Sequence, residues 1–213
     1  MARRMRDAAY RHEQRSGIRE PHVAPVNRLI DELAGQGHGW VPHIAPVHGG
    51  VRARLLWVMR DPGPKTADPD HEDTGFLCSE NDDPTAERLC DLLDHAGIDL
   101  ADTMPWNAYP WYVNRPPTPA ELRDGTAPLG RLLALLPRLE AILLFGRHAE
   151  RGWDLLARGD SAATTGLTVF RTRHPGRQAF IGTAEQRLRW RAEQVEVVDA
   201  VGALVRRPTP ESP

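Results

Sequence analysis

Residues 139–153, LEAILLFGRHAERGW, constrain the fold more than any other stretch of this chain. The run from Ala141 to Phe145 is uniformly apolar, so a strand built from it needs cover on both faces, as central strands of parallel sheets have. Gly146 ends the run, and the residues beyond it follow a helical pattern to about position 157. Strand, glycine and helix together form the repeating unit of an α/β fold. Three further stretches keep the same rhythm: LLWVM at 55–59, the weaker TMPWN at 103–107, and LTVFRT at 167–172. Helices are predicted over residues 26–34, 84–96, 119–136 (with interruptions at Gly125 and Pro128) and 183–204.

The expected architecture is a single α/β domain over residues 21–205 with a central, mainly parallel four-stranded sheet. A basic N-terminal arm, residues 1–20, precedes it, partly helical at best, and a Pro-rich disordered tail, residues 206–213, follows it. The chain has 213 residues, 40% of them hydrophobic, enough for a full core. Its two cysteines, Cys78 and Cys90, supply neither a disulfide framework nor a four-cysteine metal or iron–sulfur site. The N-terminal residues lack the apolar core of a secretory signal, and no uninterrupted apolar run is long enough to span a bilayer. A soluble protein of the bacterial cytoplasm or nucleoid, monomeric and without membrane contact, is the expectation.

The net charge of −2 argues against a general nucleic-acid coating protein, but it hides an uneven distribution. Between Arg171 and Arg191 six arginines face a single acid, Glu185, whereas residues 68–102 are strongly acidic. Arginines on a helix are often only a solvated face, and Arg187, Arg189 and Arg191 are as readily read that way. The segments at 60–83 and 109–119 are too long for plain connectors, and loops of that size are usually functional or disordered.

Ligands of open α/β sheets bind beyond the carboxyl ends of the strands, where the connecting loops converge. Asp61, Asn107 and His174 all fall at such ends. Each has a plain structural reading: Asp-Pro-Gly and His-Pro-Gly are turn sequences, and a strand-end Asn often satisfies backbone groups. Their coincidence at three strand ends of one sheet favours a shared pocket. A carboxylate can position water and stabilise positive charge on a sugar ring, a carboxamide can read the edge of a base, and an imidazole can donate to a departing base. Cleavage of an N-glycosidic bond fits these roles.

The order of motifs resembles the uracil-DNA glycosylase superfamily over about residues 50 to 200. "MRDPGP" resembles its first motif, "GFLCSENDD" the segment whose ring stacks on the extruded base, and "WNAYPWYVNRPPTPAEL" the strand-end Asn-Ala of the iron–sulfur branches. "LEAILLFGRHAERGW" resembles the strand, glycine and helix that follow, and "RTRHPGRQAF" the loop that probes the duplex. The resemblance implies a three-layer αβα fold and a DNA repair glycosylase that flips a base out of the helix, with no cofactor. It implies Asp61 as the water-positioning carboxylate, Phe76 as the stacking ring, Asn107 as the base reader and His174 as the stabiliser of the leaving base. Arg177 or Gln178 would fill the gap in the duplex. Phosphate contacts from Lys65, Arg171, Arg173 and Arg177 would offset the cost of unstacking.

Three departures modify this picture. Trp111 stands where a cluster cysteine would be expected and no N-terminal cysteine pair exists, so no cluster and no other metal is expected. Gly63 replaces the bulky aromatic that excludes thymine from strict uracil enzymes, which leaves uracil, deaminated purines and other damaged bases in DNA as substrates. Gly176 replaces a phosphate-binding Ser. A hydrolase acting on free nucleosides or nucleotides, and a non-catalytic binder of damaged bases, are the alternatives.

Other features carry less. His38, His43 and His48 match no metal-ligand spacing and read as loop residues, and His71 with Glu72 and Asp73 reads as solvated. Trp106, Trp111 and Tyr112 form either an aromatic wall for a base or a plug in the core. Cys78 reads as structural.

Overall fold

The computed structural model describes residues 2–67 and 73–206. In chain order its elements are α1 (Ala8–Ser16), α2 (Ala24–Ala34), β1 (His43–Ile44), β2 (Leu55–Met59), β3 (Phe76–Leu77) and α3 (Pro84–His95). They continue with β4 (Thr103–Asn107), α4 (Pro119–Asp124), α5 (Thr126–Ala134), β5 (Ala141–Phe145), α6 (Arg147–Gly159), β6 (Thr168–Thr172) and α7 (Ala184–Val205). Four strands form an all-parallel sheet in the order β4-β2-β5-β6.

The helical layers follow from chirality. From β2 the chain steps outward to β4, whereas from β5 it steps outward to β6 in the opposite direction. Right-handed crossovers therefore send α3 to one face and α6 to the other. The observed packing agrees: α7 lies on α3, while α4 and α5 lie on α6. The sheet is thus sandwiched in an αβα arrangement, with β2 and β5 buried along their lengths, apart from a partly exposed Met59. Trp57, Trp106, Trp111 and Phe145 are the largest fully buried side chains of its core.

Register fixes where the strands end. Met59 pairs with Asn107, Val58 with Leu144, and Phe145 with Thr172, so all four strands stop at one level. Backbone bonds continue past the strands: Ala108 N–H donates to Met59 O (2.8 Å), Tyr109 N–H to Arg60 O (3.0 Å), and Gly146 N–H to Thr172 O (2.8 Å). These bonds hold the turns that follow the strands as firmly as the sheet itself.

The structure corrects several expectations. Of the two interruptions expected in residues 119–136, the one at Gly125 separates two helices, where a Cβ would lie 2.0 Å from the carbonyl oxygen of Ala108, whereas Pro128 lies within the first turn of the second helix and does not interrupt it. The second helix is entered without a side-chain cap, while the first carries a capping box from Thr118 and Glu121. A small parallel pair, β1 with β3, was not anticipated, since two-residue strands carry no periodicity. Residues 1–20 are not a peripheral arm: Met5, Tyr10 and Gln14 are buried, and Met5 and Tyr10 join Ala45, Phe76 and Cys78 in a second apolar cluster. The tail expected from residue 206 lies outside the described residues beyond Arg206.

The two glycines of the α4–α5 region give opposite expectations. Gly125→Ala forces a Cβ against the Ala108 carbonyl and should lower stability by about 1–3 kcal/mol. Gly130→Ala, inside α5, meets only Leu156 Cδ1 at 3.6 Å and should raise stability by about 0.5–1 kcal/mol. Urea midpoints at constant m-value read both changes, and equal signs for the two variants would refute the close approach at Gly125.

Candidate active site at the carboxyl edge of the sheet

The sheet order changes direction between β2 and β5, and such a switch point opens a crevice beyond the carboxyl ends of those strands. A cleft of about 1330 Å³ occupies that position. It exceeds the range of roughly 300–1,000 Å³ typical of small-ligand pockets, so there is room for more than a single heterocycle. Asp61, Asn107 and His174 all line it, together with Gly63, Lys65, Arg171, Arg173, Arg177 and Gln178.

Asp61 follows β2 by two residues, and its side chain is only 1% exposed. Its Oδ1 accepts a hydrogen bond from Arg60 Nε, whereas Oδ2 is buried with no partner among the described residues. Burial pushes the Asp61 carboxyl above the ordinary carboxylate range, and the hydrogen bond and positive charge of Arg60 are the main influence opposing that rise. A desolvated carboxylate with one vacant oxygen is a strong acceptor for an O–H or N–H donor.

Asn107 ends β4 and is 2% exposed, with its Oδ1 also buried and unpartnered. Two unsatisfied acceptors in one cleft are unusual, because folded proteins pair nearly all buried polar atoms. Acceptors so placed suit a ligand that brings donors.

His174 lies two residues beyond β6. The Gly176 N–H donates to His174 Nδ1 at 3.0 Å, which leaves the proton of the neutral ring on Nε2. Burial, reinforced by the Arg60 cation, lowers its pKa to about 4. The ring is therefore a neutral donor across the physiological range.

Sequence reasoning missed two groups here. His148 sits in the first turn of α6, half-buried, its pKa lowered by burial and by Arg60, with Asp61 acting in the opposite sense. It stands three residues beyond β5, so the strand-end rule that found the other three could have found it. Gly146, which adopts φ 82°, makes the sharp entry that brings α6 over the cleft. The second is Arg60, the first residue of the long 60–83 segment, which contacts Asp61 directly.

The rim residues differ in how their charges are used. Arg171 pairs with Asp154 (2.6 Å), Lys65 with Asp73 (3.4 Å), and the Arg173 guanidinium lies 4.1 Å over the Trp190 ring. Arg177 has no ion pair among the described residues, and neither it nor Gln178 is buried.

Phe76 is not brought to this site. It is 2% exposed and packs with Met5, Tyr10, Ala45 and Cys78, and the neighbouring Leu77 and Cys78 line the cleft instead. Within the two-residue strand adjacent side chains point to opposite faces, so Leu77 meets the cleft while Phe76 packs into the second apolar cluster. Trp106 and Trp111 belong to the core, where Trp111 Nε1 donates to Leu33 O at 3.0 Å, and Tyr112 stacks on Trp40. The three loop histidines are dispersed: His38 packs on Trp111, His43 bonds Asp31 and His48 is fully buried against Thr103. His71 and Glu72 lie outside the described residues.

No protein-family model matches this chain, and no curated protein matches its sequence.

The His174 environment sets a pH expectation. A depressed pKa means that the unfolded chain takes up a proton at this ring before the folded one does, so stability falls as pH drops from about 6.5 towards about 4. His48, lowered to about 3 by complete burial, acts in the same direction. Titration by NMR should show the His174 ring with a midpoint near 4 and its proton on Nε2 below neutrality. A midpoint near 6.5, or a proton on Nδ1, would contradict the geometry.

Proposed function

We propose that this protein is a monofunctional DNA glycosylase, hydrolysing the N-glycosidic bond of uracil or another deaminated base. The observation that carries the reading is the convergence, in one cleft, of a buried carboxylate with a vacant oxygen, a buried carboxamide with a vacant oxygen, and a neutral imidazole donor.

Asp61 Oδ2 accepts a hydrogen bond from water and directs the water oxygen at the sugar C1′. As the C1′–N bond breaks, its electron pair leaves with the base, and positive charge on the sugar is stabilised by the carboxylate. The C1′–O bond then forms and the water proton passes to Asp61. The Nε2–H of His174 donates to the negative charge growing on the base. Asn107 Oδ1 accepts from a ring N–H, which suits lactam bases such as uracil, hypoxanthine or xanthine and disfavours bases whose ring nitrogen is an acceptor.

Two observations support a broad pocket on a polymeric substrate. A Cβ added at Gly63 would meet nothing within 4 Å, so the cleft is unfilled on that side. The arginine-bearing rim and the size of the cleft suit a sugar–phosphate strand, as phosphate contacts supply much of the affinity of nucleic-acid binders.

The test is cleavage of labelled duplexes and single strands carrying uracil, hypoxanthine, xanthine, or thymine opposite guanine. Asp61→Asn should lower the rate about 10²–10⁴-fold, and His174→Ala about 10²–10³-fold, each with the thermal transition little changed. Cleavage of none of these by the wild type, or wild-type rates in both variants, would refute the reading.

A further inference from the structure

The cleft wall formed by residues 77–83 is backed by the N-terminal segment. Leu77, Cys78, Asn81 and Asp83 line the cleft, while Glu80 and Asp82, between them in sequence, turn to the other side. There Glu80, only 2% exposed, accepts from the Tyr10 hydroxyl at 2.5 Å and pairs with Arg4 at 3.3 Å, while its backbone oxygen accepts from the Met5 N–H at 3.1 Å. Asp82 pairs with both Arg3 (3.2 Å) and Arg6 (2.7 Å), and Arg3 reaches Glu87 at 2.6 Å.

Residues 80–87 carry four carboxylates, Glu80, Asp82, Asp83 and Glu87, and no cation. Left alone, such a wall would repel a polyanion in the neighbouring cleft, since charges act over a Debye length of about 8 Å at physiological salt. Arg3, Arg4 and Arg6 bring three cations onto it, and the buried Met5 and Tyr10 anchor them.

We propose that residues 3–10 are a positioning strap that holds the cleft wall and neutralises its acidic side, so that a nucleic-acid strand can occupy the cleft. This rests on the DNA-glycosylase reading above. The strap touches no reacting atom, so its effect falls on substrate affinity and leaves the chemical step unchanged. It also explains why an arginine-rich terminus is ordered against this part of the molecule: the acidic stretch is its partner.

Charge removal on each side of the same pairs separates electrostatics from packing. In the full chain, Arg3→Ala with Arg6→Ala should weaken binding to lesion-bearing duplex about tenfold at low ionic strength, with the single-turnover rate at saturation retained and the loss shrinking in salt. Asp82→Asn with Glu87→Gln, which frees the same arginines, should bind more tightly than wild type. All four changes together should return affinity to within about twofold of wild type, because removed cations and removed anions then balance. The proposal is overturned by unchanged affinity in the arginine variant, by weaker or unchanged affinity in the Asp82/Glu87 variant, or by failure of the combination to restore binding. The wild type in the same assay keeps the two readings apart: a protein that binds and cleaves but ignores these substitutions refutes the strap alone, whereas one that neither binds nor cleaves refutes the glycosylase reading and the strap with it.

Discussion

The parallel register of β2 with its two neighbours is the constraint on which the rest of the structure depends. Met59 opposite Asn107 and Val58 opposite Leu144 bring three strand ends to one level, and Phe145 opposite Thr172 adds the fourth. A shift of a single residue along β2 would turn its side chains to the other face and carry Asp61 out of line with Asn107. The register is secured because both faces of the central strands are covered, so any slip would expose apolar surface. The bonds from Ala108 to Met59 and from Tyr109 to Arg60 extend this rigidity into the loops. The cleft is therefore preorganised by the sheet instead of assembled by its loops.

That rigidity carries an energetic cost at the site. Asp61 Oδ2 and Asn107 Oδ1 are buried without a partner among the described residues, and a buried polar group left unpaired costs about 1–3 kcal/mol. A core that includes Trp57, Trp106, Trp111 and Phe145 together with the apolar β5 can sustain such a penalty. Apolar residues at these positions would suit folding better, which agrees with the proposal that the polar pair serves a ligand that supplies donors.

Much of the scaffold could be read from the sequence because its signals are local. The apolar β5 followed by a glycine, the α3 pattern and the strand-end rule for Asp61, Asn107 and His174 all depend on a few adjacent residues. Phe76 shows the limit: motif order placed it at the site, but the face on which a two-residue strand turns its side chains is set by tertiary packing. The break at Gly125 is legible as a glycine interruption, but its cause is not, because it answers to a carbonyl seventeen positions earlier in the chain, at Ala108. The N-terminal arm reads as a basic extension because nothing local in the sequence points to the acids that Arg3, Arg4 and Arg6 contact. Their partners lie more than seventy residues away.

Arg60 ties the electrostatics of the site together. Its guanidinium donates to Asp61 and so partly offsets the burial that raises that carboxyl, while the same cation opposes protonation of His148 and His174. One positive charge thus favours an anion at one position and neutral rings at two others, which is the division of labour that the proposed water activation and leaving-group donation would use. A lysine could supply the charge, but only the planar guanidinium can present Nε to Asp61 and keep further donors available. With Arg60 next to Asp61 in sequence and fixed through the backbone bond from Tyr109, the arrangement is inherited from the end of β2 and needs no movement of the loops around it.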